Sequence, residues 1–528
     1  MKNSVMMNGL IFGIILCIIG AGCVPNILGG TQKPNEKYYN QIITHTTPMQ
    51  ACFNSPPEEE WNKTYNGYGG QFVFCTDDGY VIGGSTDDTV EAIDYLLLKV
   101  DSNGNEQWNH SFGRYGHDQL EAMAQTNDEG YILLGLSDNK EDLLNVWLVR
   151  TNNQGNLIWN TTVESLSFHS NEYSIQQTSD SGFIIAGGNP LSLPLITKID
   201  SDGSQVWNKS FECNDSGFAC SVVQTTDGGY ALTGYIYPRY TFIIKTDSTG
   251  NELWRKTYTS PDSYPQYYKI IETSDKGFII TQTVYNDTST ESYSWIIKTD
   301  LNGVMEWQNQ YDRQNSLCIR SIRQTIDDGY IAAGHNFDAV AFGFAMKIDK
   351  TGSEKWRKII TGGNEYFFDV AITPDLGYIL TGASYTYGSY IHNTWLVKLS
   401  TENYPPFPPT ITGPLKGKIN VDTNYNFTAT DPNDDAISYF IDWGDGTNSS
   451  WIGPYTSGDL ITKSHTWTVK GIYTIKAKAK DIYGNESGWG TLQVTMPRSY
   501  NIPFDPFLQR LFERFPHLFP ILRHLLGY

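Results

Sequence analysis

Thr225-Thr-Asp227-Gly-Gly229-Tyr230-Ala-Leu-Thr-Gly234, followed eleven residues later by Lys245-Thr-Asp247-Ser-Thr-Gly250-Asn-Glu-Leu-Trp254, decides the fold because it is one copy of several. The first string recurs with its glycine at Gly79, Gly130, Gly182, Gly229, Gly277, Gly329 and Gly377. An aspartate stands two residues before each of these and an aromatic directly after it. Its threonine departs once, at Cys75, and a further glycine follows five residues on in every copy except the fifth, which has Gln282. The second string is a basic residue with Asp two, Gly five and Trp nine positions later. It starts at Lys99, Lys198, Lys245, Lys298 and Lys347, with a softened copy at Arg150.

Both strings are tight turns between alternating apolar runs: the Asp side chain caps the turn and the glycine is expected to supply φ > 0. Each unit of about 49 residues therefore reads as a four-stranded antiparallel meander, strands A to D. One such sheet cannot bury both faces, and stacking the sheets radially solves the problem. The seventh copy ends at Lys398-Leu-Ser400 without a D strand, whereas Glu60-Trp61-Asn-Lys-Thr-Tyr65 at the front matches Trp108-Asn-His-Ser-Phe112. The front strand should complete the last sheet and leave no open edge. The expectation is an all-β chain with a seven-bladed β-propeller over 60–400. These repeats resemble the Trp/Gly-rich repeat propellers of prokaryotic exported and surface proteins, a resemblance that implies a fold rather than a chemistry.

A proline-rich linker, 401–408, breaks the repeat, and alternating strands resume over 409–497. Asp442-Trp443-Gly444-Asp445-Gly446-Thr447, with His465-Thr-Trp467 and Gly471-Ile-Tyr473, resembles the signature of polycystic-kidney-disease (PKD) domains. The resemblance implies an immunoglobulin-like β-sandwich that serves as an extracellular spacer or a carbohydrate- or protein-contacting appendage. Its acidic loop Asp431–Asp435 is a candidate Ca²⁺ site, although a solvated turn is the simpler reading; no other cofactor or metal is expected.

The ends point outside the cell. Residues 1–30, with Lys2 before an apolar Leu10–Val24 run, read as a signal peptide or membrane anchor, and Gly20-Ala21-Gly22-Cys23 makes Cys23 a lipidation candidate. Residues 31–59 form an N-terminal linker. The tail 498–528 is amphipathic and broken by Pro516 and Pro520, so short helical segments and membrane contact through both termini are expected. Nine Asn-x-Ser/Thr sequons fit export, with Asn62, Asn109, Asn160, Asn208, Asn426 and Asn448 the glycosylation candidates. The first four directly follow a repeat Trp, so strand alternation turns them away from the face that the Trp buries. The 528 residues carry 37 Lys+Arg against 57 Asp+Glu, a net charge of −20, which excludes nucleic acid as an expected partner.

In a meander the A–B and C–D turns share one end and the B–C and D–A loops the other. The first end is uniform. At the second, the stretch from the second glycine (Gln282 in the fifth copy) to the basic residue varies from 11 to 16 residues, and variable loop tips are where binding concentrates. The candidates there are Tyr115, His117, Asp118, Tyr237, Tyr240, Tyr264, Tyr385 and Tyr387, flat rings and hydrogen-bonding groups suited to an extracellular glycan or protein. Cys213 and Cys220 bracket one of these loops and are expected to form a disulfide, with Cys52–Cys75 a weaker pair. The basic residues Lys99 to Lys398 form a ring, read as pairing with neighbouring aspartates inside each unit. His117, His169, His335 and His392 fall at the variable end, but no linear spacing defines a catalytic pair. The reading is an exported binding or adhesion protein, with the sandwich as spacer. The alternative is an extracellular polysaccharide lyase or glycosidase with its site in the central funnel.

Overall fold

A computed structural model describes residues 56–86, 93–114, 116–138, 144–166, 173–237, 240–259, 265–285, 292–311, 316–336, 341–360, 364–385, 392–496, 510 and 513–514. The chain is all-β and divides into two compact units, the second beginning at Tyr404; Arg510, Glu513 and Arg514 are helical. The segment 1–55, with Cys23 and Cys52, and most of the tail lie outside the described residues.

In the first unit the described residues form seven four-stranded antiparallel sheets. Sheets 1 to 6 run in chain order A-B-C-D. Sheet 4 is representative: Gly217–Gln224, Tyr230–Ile236, Tyr240–Thr246 and Glu252–Thr259. Sheet 7 takes A, B and C from Asn364–Ile372, Tyr378–Tyr385 and His392–Leu399. Its D strand is Glu59–Tyr65, paired so that Trp61 opposes Lys398 and Lys63 opposes Leu396. The A strand of each sheet neighbours the A strand of the next, and that of sheet 7 returns to Tyr68–Thr76 of sheet 1. The closed ring is a β-propeller.

Apolar residues from facing sheets fill the spaces between them, for example Ile184, Ile196, Leu232 and Phe242 between sheets 3 and 4. The repeat Trp is a stitch across this seam. Six of the seven D-strand Trp residues pack on the aromatic of the next sheet's A–B turn, Trp61–Tyr80, Trp159–Phe183, Trp207–Tyr230, Trp254–Phe278, Trp307–Tyr330 and Trp356–Tyr378, at 5.9–6.3 Å between ring centres. Such a pair adds about 0.5–1.5 kcal/mol beyond burial. The same Trp covers the C–D turn glycine of the next sheet: a Cβ on Gly250, at φ +79°, would stand 2.7 Å from the Trp207 ring. Here glycine does supply the positive φ.

The A–B turns correct the sequence reading. Their positive φ belongs to the residue before the repeat glycine: Glu129, Ser181, Gly228, Lys276, Asp328 and Leu376. The repeat glycine instead makes room. A Cβ on Gly229 would run into the backbone carbonyl of Thr246 and stand 2.7 Å from Lys245 Nζ. In sheet 1 the turn is one residue shorter, so Thr76 and Asp78 take the roles that spacing gave to Cys75 and Asp77: the Thr76 hydroxyl donates to Asp78, and Lys99 reaches Asp78.

The basic ring is structural. Lys99, Arg150, Lys198, Lys245, Lys298, Lys347 and Lys398 each meet the A–B turn aspartate of their own sheet at 2.5–3.1 Å. Each cationic head is buried, while the aspartate is open to solvent except in sheet 6. Asp327 and Lys347 are buried there, and Lys347 also meets Glu402 at 3.2 Å. Sheet 7 has no C–D turn to cover Trp356, and Glu402 fills that role. Its carboxylate accepts from Trp356 Nε1 (2.6 Å) and Tyr378 Oη (2.7 Å). Beside it, Ser400 N donates to Glu58 O at 2.8 Å.

The second unit is a sandwich of a three-stranded and a four-stranded sheet around Trp443, Trp467, Tyr425, Tyr439 and Phe427. The signature residues build one corner: His465 stacks on Trp443 at 4.6 Å and meets Asp445 Oδ2 at 2.8 Å.

Candidate functional site

At the loop-bearing end of the ring six of the seven A strands share an irregularity. Pairing between A and B skips a residue at Gln71, Glu121, Cys220, Arg320 and Phe368, and skips two, Tyr267 and Tyr268, in sheet 5. A β-bulge leaves its extra residue unpaired and re-aims its side chain. Because A is the innermost strand, the extra residue stands at the edge of the central channel. Gln71, Glu121, Tyr267, Arg320 and Phe368 are all partly exposed while most neighbours on the same strands are buried.

The second glycine of the repeat is the partner of this bulge. A Cβ on Gly84, Gly135, Gly234, Gly334 or Gly382 would strike the backbone carbonyl of Gly69, Gln119, Phe218, Cys318 or Tyr366 on the bulged strand. Gln282, the exception, lies opposite the two-residue bulge of sheet 5, where the wider gap admits a side chain; its amide oxygen accepts from the Thr241 hydroxyl. The glycine spacing was thus a visible signal for channel-facing residues that strand alternation alone does not show.

Bulge residues from three successive sheets meet. The Arg320 guanidinium lies 3.5 Å from the Tyr267 ring centre and 5.2 Å from that of Phe368. Phe368 is stacked with Tyr366, which stands edge-on to His335 at 4.6 Å. Burial, with the Arg320 charge nearby, pushes the pKa of His335 down to about 3, so its imidazole is neutral. A second group joins sheets 4 and 5, where Tyr235 contacts Tyr237, Tyr268 and Phe218 at 5.4–6.0 Å.

Of the loop candidates, the structure brings Tyr237 into this aromatic band and leaves Tyr240 exposed at the start of a C strand. His117 and Asp118 sit apart, between sheets 1 and 2. His117 is exposed and bridges Ile93. Asp118 is fully buried: Oδ2 accepts from Arg114 N at 2.6 Å, Oδ1 has no hydrogen bond, and burial followed by the nearby Asp94 raises its pKa against the pull of its hydrogen bonds. Tyr115, Tyr264, Tyr387 and His169 lie outside the described residues, as do the side chains of Tyr385 and His392.

The expected disulfide is corrected. Cys213 and Cys220 are not bonded to each other. The Cys213 thiol donates to Asp215 O at 2.8 Å, while Cys220 is the bulge residue of its strand, turned among Phe218 and Tyr268. The bulge re-aims Cys220 away from the loop that spacing assigned to it. Among the described residues no group of three or more His, Cys, Asp or Glu is placed to hold a metal ion. In the Asp431–Asp435 loop, Asp431 Oδ1 accepts the Asn433 and Asp435 N–H groups.

Comparison with known proteins adds a likeness for the second unit. A stretch equal to 18% of this chain is 56% identical to the whole of the PKD domain of an M14-like peptidase from Thermoplasmatales archaeon SCGC AB-540-F20, with a TM-score of 0.18. The C-terminal module is similar to a PKD domain. Sqt1 from Chaetomium thermophilum aligns over 79% of this chain and 93% of its own at 12% identity and a TM-score of 0.37. CoXyl43, a GH43 β-xylosidase/α-arabinofuranosidase from a compost microbial metagenome, aligns over 49% and 98% at 11% identity and a TM-score of 0.30. Likenesses this distant say nothing about chemistry. No family model and no curated protein matches the chain.

Proposed function

We propose that this is an exported binding protein of the Trp/Gly-rich repeat type, secreted or held at the cell surface. Its seven-bladed propeller contacts an extracellular glycan with the loop-bearing end, and the PKD-like module acts as spacer. The observation that carries the reading is the set of half-exposed rings and one guanidinium that the inner-strand bulges present there. Aromatic faces receive the C–H faces of sugar rings, and few torsions are frozen on binding. Export is supported by the apolar Leu10–Val24 run and by Asn62, Asn109, Asn160 and Asn208, which are exposed on D strands beside inward-facing Trp residues. Cys23 would carry the lipid if the anchor is a lipoprotein one.

The test is a glycan array probed with the full-length protein, followed by Tyr237→Ala and Phe368→Ala. The reading expects at least one glycan class to be retained and both substitutions to weaken it tenfold or more. Binding that survives both, or release of reducing ends from the bound glycan, would overturn it, the second result in favour of an enzyme.

A further inference from the structure

We infer that Arg320, held between Tyr267 and Phe368, is the seat for the carboxylate of an acidic sugar, a hexuronate-type residue entering from the loop-bearing end. The inference rests on the glycan-binding reading and sharpens it by naming the charge of the ligand.

The repeat cations and Arg323 set the standard. All seven repeat cations are bound to aspartates. Arg323, three residues from Arg320 on the same strand, meets Asp369 at 2.9 Å, and Asp369 also accepts from Ser321 Oγ at 2.6 Å and Val73 N at 3.2 Å. That carboxylate is committed to tying sheets 6, 7 and 1. Arg320 has no carboxylate partner among the described residues; its neighbours are the faces of two rings. A guanidinium packed on rings is positioned while its N–H edges stay available, and a carboxylate matches them with two parallel hydrogen bonds. The stacked Tyr366–Phe368 pair, 6.5 Å apart at 12°, offers the apolar surface that the face of the same sugar needs. Neutral His335 adds no competing charge. The net charge of −20 repels long polyanions at a distance, so the fitting ligand is a short chain or chain end with one carboxylate at Arg320.

Isothermal titration of the full-length protein tests this with tri-uronates of the gluco, galacto and manno series and their methyl esters, which keep the shape and remove the charge. At least one free acid should bind ten times or more tightly than its ester. Arg320→Gln should erase that preference, so that acid and ester bind alike, with no more than a small change in Tm, and Arg320→Lys should keep a reduced preference. Equal binding of acid and ester, or a preference that survives Arg320→Gln, overturns the inference while the glycan reading stands. Binding of the array's glycans but of none of the acids does the same. No glycan binding of any kind overturns both, as would a carboxylate preference shown only with acidic peptides.

Discussion

At the end of the ring that carries the A–B and C–D turns, seven cations meet seven aspartates in one geometry. At the opposite end, bulges on six A strands present Gln71, Glu121, Tyr267, Arg320 and Phe368 and turn Cys220 and Tyr268 inward. Both ends are built from the same repeat: the A–B turn departs in sheet 1, and the bulge recurs in six of the seven sheets, with two residues in sheet 5. What differs is which atoms the regularity fixes. At the turn end it fixes side chains, because a buried ammonium must be matched wherever it occurs. At the loop end it fixes only a backbone bulge and the glycine facing it, and the extra side chain is free to vary. A repeat can thus hold its fold by identity at one end and carry function by variation at the other.

Substitutions should separate the two ends by the size of their effect on stability. Glu402→Ala is the most severe: it strips Lys347 of one carboxylate and leaves Trp356 Nε1 and Tyr378 Oη without their acceptor. Breaking a buried ionic network of this kind costs about 3–5 kcal/mol, measurable by urea unfolding; a loss below about 1 kcal/mol would mean that Glu402 does not seal sheet 7. Next, Gly250→Ala combines a strained φ with a clash against Trp207 and should cost about 2–3 kcal/mol. Gly446→Ala in the PKD-like module, at φ +92° in open space, should cost about 1 kcal/mol, so equal losses would remove Trp207 from the account. At the loop end, Arg320→Gln gives up only its ring contacts and should shift stability by about 1 kcal/mol or less.

The PKD-like module supplies a pH test of a buried carboxylate, Asp431, whose Oδ2 has no hydrogen-bond partner. Burial, with Asp435 and Asp481 nearby, raises the pKa of Asp431 to about 7, above its unfolded value, so the folded state holds this proton more tightly. Stability from Asp431 is therefore greatest at about pH 4 or below, falls as pH rises towards 7, and is flat beyond. Asp431→Asn should abolish that slope in thermal melts between pH 4 and 8. An unchanged slope would assign it to another group.

Much of this was legible because tight turns and tryptophans repeat at fixed spacing. The sheet order, the donation of Glu59–Tyr65 to sheet 7 and the pairing of Lys198 and its equivalents follow from local rules read many times over. The bulges are not legible in the sequence, because one extra residue in a strand looks like ordinary alternation slipping by one. The glycine at 234 and its equivalents marked the place without saying that a carbonyl crowds it. Gly229 was misread for a related reason, since sequence shows that glycine is needed but not whether φ or a neighbouring lysine requires it. The site formed by Tyr267, Arg320 and Phe368 draws on residues about 50 apart, and only the ring brings them together.

Hydrogen exchange of the full-length protein, with and without the tightest glycan from the array, tests the division between the two ends most directly. The account predicts new protection around 265–271, 317–321 and 364–369, with the turns at 225–229 and 247–251 unchanged. Protection centred on those turns or on the PKD-like module, with the bulged strands unaffected, would contradict it.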